Sequence, residues 1–106
     1  MSLYGTWAIH SSPDFDESYL HMERPAFVTL HPDGHRIAGE YQVGLQSGNI
    51  DGRERPDGSI TFSFEGNDEM DDVSGSGTAI LEGDRLILTL AYYQGDDYVF
   101  EGRRPR

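Results

Sequence analysis

Apolar and polar residues alternate along this chain in eight short runs, each closed by a turn bearing Gly, Pro or Asp. The clearest run is Ser59–Glu65, where Ile60, Phe62 and Phe64 face one way and Thr61, Ser63 and Glu65 the other. A period of two marks a strand with one buried face. Arg36–Val43 repeats the pattern, with Ile37, Gly39, Tyr41 and Val43 against Arg36, Ala38, Glu40 and Gln42. Arg85–Tyr93 does so again, with Leu86, Leu88 and Leu90 against Ile87, Thr89 and Ala91. Tyr4–His10, Ala26–His31, Asn49–Glu54, Ser74–Leu81 and Tyr98–Arg103 complete the set. Asn49–Glu54 is the weakest, since Ile50 is its one large apolar residue.

The connections are turn sequences. Pro32-Asp33-Gly34 and Pro56-Asp57-Gly58 are strong turn signals, and Glu82-Gly83-Asp84 is a short hairpin connection. Gly44–Gly48, the acidic stretch Gly66–Asp72 and Gln94–Asp97 read as loops. The longest connection, Ser11–Arg24, carries Ser12-Pro13-Asp14 as a helix start, and Phe15, Tyr19 and Met22 recur at helical spacing. It reads as a short helix or an extended loop. An even number of short, sequentially joined strands is the pattern of an up-and-down barrel. The predicted fold is therefore all-β, an eight-stranded antiparallel barrel forming a single domain over residues 1–106.

In such a barrel the loops alternate between two ends. One end collects the chain termini and the tight turns. The other collects Ser11–Arg24, Gly44–Gly48, Gly66–Asp72 and Gln94–Asp97, and with them Asp14, Asp16, Glu17, Glu23, Asp68, Glu69, Asp71, Asp72, Asp96 and Asp97. Its nearby base is Arg24. Long loops on a rigid scaffold are where binding sites usually sit, so this acidic end is the predicted mouth. Eight strands enclose room for packed side chains or for one small ligand. Trp7, Ile9, Ile37, Tyr41, Phe62, Phe64, Leu88 and Leu90 supply bulk to the interior, and Gly5, Gly39, Gly75, Gly77 and Ala79 either offset it or leave a pocket.

Composition narrows the function classes. The net charge is −11, from 19 acids against 8 bases, all of them Arg. Such a surface repels phosphate backbones, so nucleic-acid binding and docking on anionic membranes are disfavoured. Cysteine is absent, which excludes disulfides, thiolate metal sites and a cysteine nucleophile. No apolar run approaches membrane-spanning length and no signal-peptide core follows Met1, so a cytoplasmic location is expected.

Three functional readings can be weighed, the first two at the acidic end. The first is a ligand site, with Trp7, Tyr41, Phe62, Phe64 and Tyr98 holding an apolar body and Glu65, Asp68, Glu69 and Asp97 favouring a cationic or hydroxylated head. The second is a cation-dependent or acid/base carboxylate site. Glu65 is its candidate for the less solvated member, paired with Asp68 or Asp97. Gly66–Asp72 lacks the alternating ligands and terminal Glu of an EF-hand loop, and no metal site or cofactor is expected. His10, His21, His31 and His35 read as surface residues. The third use is a structural or homo-oligomerising module, with Ile87, Ala91 and Tyr93 against Val99 as an outward patch. Asp51 and Arg53 share a strand face and read as an ion pair that steadies the weak strand.

Gly5-Thr6-Trp7 resembles the opening of lipocalin- and avidin-like barrels, in which the Trp packs against the barrel floor. Ile50–Arg53, Phe62–Asp71 and Gln94–Asp97 look more like segments of a group of small uncharacterised bacterial β-barrel proteins. The first resemblance implies a calycin-type fold and, by fold analogy alone, binding in the barrel mouth. The second implies no mechanism.

Overall fold

A computed structural model describes residues 2–105. Eight strands run in the order β1 (Gly5–Ser11), β2 (Phe27–Asp33), β3 (Arg36–Val43), β4 (Gln46–Glu54), β5 (Ile60–Asp68), β6 (Asp71–Glu82), β7 (Arg85–Tyr92) and β8 (Asp97–Arg103). Each pairs antiparallel with its sequence neighbour, and β8 pairs back onto β1 to close the cylinder. The short helix α1 (Glu17–Leu20) lies between β1 and β2. The connections β1–β2, β3–β4, β5–β6 and β7–β8 lie at one end, called here the helix end. The termini and the remaining turns lie at the other, the terminal end.

Alternation decides what is inside. Trp7, Ile9, Val28, Leu30, Ile37, Tyr41, Ile50, Ile60, Phe62, Phe64, Leu86, Leu88, Leu90 and Phe100 are buried in one cluster. The inward glycines make room for the larger residues beside them. Gly77 pairs with Phe62 and Gly75 with Phe64. A Cβ at Gly77 would lie 2.6 Å from Phe62 Cζ, and one at Gly75 would lie 3.0 Å from Phe64 Cε1. The rings therefore occupy the space that β6 leaves empty. Small against large is how an eight-stranded barrel packs its interior, and here the glycines serve packing.

Several boundaries differ from those read in the sequence. Gly66–Asp72 is mostly strand: Asn67 pairs with Asp72 and Asp68 with Asp71, leaving Glu69-Met70 as the turn. Ladder hydrogen bonds to β4 on one side and β6 on the other outweigh the low strand propensity of Gly, Asn and Asp. For the same reason Gly44–Gly48 shrinks to Gly44-Leu45, and the supposedly weak fourth strand runs to nine residues. Asp51 is bound not by Arg53 but by Arg36 on the neighbouring strand, through two bonds of 2.7 and 3.1 Å.

The helix is a single turn. Ser12 does not cap it: its hydroxyl accepts from the Asp14 N–H (3.0 Å) and donates to the Val99 carbonyl. The Asp14 carboxylate accepts from the Val99 N–H at 2.8 Å. This connection is thereby latched to β8, with Asp16 at the helix N-cap. Two of the four histidines are half-buried rather than on the surface. His21 Nδ1 accepts from the Ala26 N–H at 3.0 Å, while His10 Nε2 is buried without a partner.

Candidate functional site at the helix end

Six aromatic rings form a chain at the helix end. Phe15 stacks on Tyr19 (5.0 Å between centroids) and meets Tyr98 at 4.8 Å; Tyr98 meets Tyr92 at 5.6 Å. Tyr92 contacts Phe64 edge-on at 5.2 Å, and Phe64 contacts Tyr41 at 5.7 Å. Strand parity explains the inward members. Tyr41 follows Ile37 and Gly39, Phe64 follows Ile60 and Phe62, and Tyr92 follows Leu86, Leu88 and Leu90. Phe15 and Tyr19 come from the connection that crosses this end. Leu20 is fully buried beneath them, and its carbonyl accepts from the Gly44 N–H at 2.9 Å. The Tyr19 ring lies against Gly44, whose φ of 59° suits a residue without a side chain.

One buried amide organises the polar part. Gln46 Oε1 accepts from the Tyr41 hydroxyl at 2.8 Å and from the Tyr92 hydroxyl at 2.9 Å. Among the described residues, the Gln46 amide donors and the Asp68 carboxylate make no side-chain hydrogen bond. Asp68 is half-buried, has the inward parity of Phe64 and Gly66, and sits beside Gln46 across the ladder. Its charge acts on three phenols. Burial, then Tyr92 and Asp68, push the Tyr41 hydroxyl far above the ordinary tyrosine range. Tyr92 is pushed up to about 12, by burial first; the Gln46 hydrogen bond opposes the shift, and Tyr19, Asp68 and Tyr98 add to it. Tyr19 is raised by burial and then by Asp68. The phenols thus stay protonated, as donors and acceptors with π faces, next to a carboxylate.

The predicted site residues divide into three places. Tyr41, Phe64 and Tyr98 meet in the aromatic chain, with Asp68 beside them. Glu69, in the β5–β6 turn, and Asp97, at the start of β8, are exposed at the same end. Trp7 and Phe62 lie deeper, with Trp7 at the terminal end, where its indole N–H donates to the Leu3 carbonyl (2.8 Å) beneath the Arg104 guanidinium. Glu65 is exposed on the outer wall. It is therefore not the less solvated carboxylate, because alternation turns it away from Phe64; Asp68 is the half-buried one. Gln46, Tyr92, Phe15 and Tyr19 were not anticipated as site residues. The parity of Tyr92 with Leu86, Leu88 and Leu90 was an available signal, whereas Gln46 in a polar connection gave none. Among the described residues, no group of three or more His, Asp or Glu side chains is placed to hold a metal ion.

No family model matches this chain, and no curated protein matches it in sequence. In fold it is similar to the solved structure of human cRBP IV, with a TM-score of 0.55 and 16% identity over 99% of each chain. The molecule is thus a closed, eight-stranded, antiparallel up-and-down barrel. No helix in it is long and apolar enough to cross a membrane.

Proposed function

We propose that this chain binds a small molecule at the helix end of its barrel. The ligand has a ring-sized apolar body and a cationic or hydroxylated head. The observation that carries this reading is the aromatic chain Tyr19–Phe15–Tyr98–Tyr92–Phe64–Tyr41 closing around Gln46 and Asp68, whose hydrogen-bonding capacity is only partly used. Aromatic faces beside a carboxylate favour a cation, and the phenols and amide suit a hydroxyl. The acids of the four connections at this end, Glu69 and Asp97 among them, would draw a cation toward it.

Human cRBP IV is a cellular retinol-binding protein, and its likeness supports small-molecule binding as a use of this fold. The interior here sets a different size limit. Phe62 and Phe64 fill the space over Gly77 and Gly75, so a ligand is held in the aromatic chain at the end, with Tyr41 and Phe64 beneath it, and not along the barrel axis.

Solution NMR of the whole chain with tyramine, benzyltrimethylammonium or benzyl alcohol tests this. Saturable shifts are expected at the amides of Gln46, Asp68, Tyr92 and Tyr98, and Asp68→Asn is expected to weaken the two cations about tenfold while sparing the alcohol. Silence from all three probes at millimolar concentration would remove the reading.

A further inference from the structure

A concavity lies on the outer wall of the barrel, across β4 to β7. It has a volume of about 670 Å³. Its centre is a grid set by strand register: Asp51, Ser63 and Ser76 lie side by side in one row, and Asn49, Glu65 and Ser74 in the next. Strand geometry spaces such neighbours about 4.8 Å apart across the sheet and about 6.8 Å along it. The short side chains of Ser63, Ser74, Ser76 and Ala91 lie among the taller Asp51, Glu65 and Tyr93, which makes the surface concave. Tyr93 stands at the rim, 74% exposed, and its backbone N–H donates to the Ser74 carbonyl at 2.8 Å. An adjoining hollow continues the same face toward Asn67 and Asp72.

The chemistry of the grid is mixed and mostly unspent. Asp51 is held rigidly by Arg36, and Ser63 donates weakly to the Asp51 carbonyl (3.4 Å). Among the described residues, the side chains of Asn49, Glu65, Ser74 and Ser76 make no hydrogen bond within the protein. No Arg or His lines the concavity. With Asp51 already paired to Arg36 and Glu65 without a base, the concavity repels anions. Six polar groups would have to be desolvated to bury an apolar ligand. A bare cation would use the carboxylates and leave the amide and hydroxyl donors unanswered. A polyhydroxylated ligand answers all of them, because each of its hydroxyls both donates and accepts, and a flat sugar face can lie on Tyr93.

We propose that this outer groove is a binding site for a neutral saccharide. Its ring stacks on Tyr93, and its vicinal hydroxyls bridge Asn49, Asp51, Glu65 and the serine rows. The site lies on the opposite face of the sheet from the aromatic chain and is independent of it.

NMR titration of the whole chain with maltohexaose, cellohexaose, laminarihexaose and chitohexaose, and with a hexa-arginine peptide for contrast, tests the proposal. At least one saccharide is expected to shift the amides of Ser63, Ser74, Ser76 and Ala91 and to leave those of Gln46 and Tyr98 in place. Tyr93→Ala is expected to weaken it about tenfold. Glu65→Gln keeps the hydrogen-bonding shape and is expected to change saccharide affinity no more than about threefold. Both positions are exposed, and thermal melts confirm that the variants are folded. Silence from all four saccharides at millimolar concentration overturns the proposal, as does binding of hexa-arginine alone that Glu65→Gln abolishes.

Discussion

At the terminal end of the barrel the Trp7 indole N–H is satisfied by the Leu3 carbonyl, and the Arg104 guanidinium covers the ring at 3.9 Å. At the helix end two tyrosine hydroxyls share one amide oxygen, and a half-buried carboxylate stands beside them without a hydrogen-bonded partner among the described residues. The turns differ in the same sense. Gly34, Gly58 and Gly83 supply the positive φ angles of the turns at the terminal end, whereas at the helix end Gly44 is joined by the non-glycine residues Glu69 (φ 56°) and Gln94 (φ 56°). A non-glycine residue in that region is strained. Asp68 and Asp71 also face each other directly across the β5–β6 ladder, a like-charge pair. One end is built for stability. The other keeps strain and unspent polar groups, as expected where a ligand supplies the missing contacts.

The sharpest way to break this comparison is Trp7→Ala. Removing a fully buried indole is expected to cost about 4 kcal/mol, a large part of the stability of a domain this size, measured by urea denaturation. A cost no larger than that of a mutation at the helix end would erase the contrast.

Next comes alkaline pH. Tyr41 and Tyr92 ionise less readily folded than unfolded, so their contribution is fully present below the ordinary tyrosine value of 10.0. It is lost as pH rises through 10 toward the Tyr92 value of about 12. The urea midpoint is expected to fall across that window. Ultraviolet titration of phenolate should show Tyr41 and Tyr92 ionising last.

Gln46→Leu leaves the Tyr41 and Tyr92 hydroxyls without their shared acceptor, and is expected to cost about 2 kcal/mol in denaturant melts. Smallest is Glu69→Gly, which relieves the left-handed residue and is expected to stabilise by about 1 kcal/mol in the same assay. A stabilisation at Glu69 paired with weaker binding of tyramine would tie the strain to function.

The sequence carried the barrel well where alternation was clean. Arg36–Val43 is strand three to the residue, and Ile60, Phe62 and Phe64 point inward as their spacing requires. It misled where composition opposed pairing. Gly66–Asp72 has the residues of a loop, yet two neighbouring ladders hold nearly all of it extended. The site was legible in part for the same reason. Tyr41, Phe64 and Tyr98 follow from parity, but Gln46 matters only because Tyr41 and Tyr92 converge on it from other strands. Glu65 follows the buried Phe64 in sequence, yet alternation turns it outward into solvent, so its adjacency to Phe64 is no sign of burial.

Native-state hydrogen exchange, with and without saturating tyramine, tests the central claim most directly. The Gly44, Glu69 and Tyr92 amides, bonded to the Leu20, Leu45 and Asp96 carbonyls, are expected to exchange through a local opening, and tyramine to slow them. Those of Trp7, Val28 and Leu88 are expected to exchange only with global unfolding. Equal opening free energies at the two ends, with no effect of tyramine on the first group beyond the second, would contradict the account.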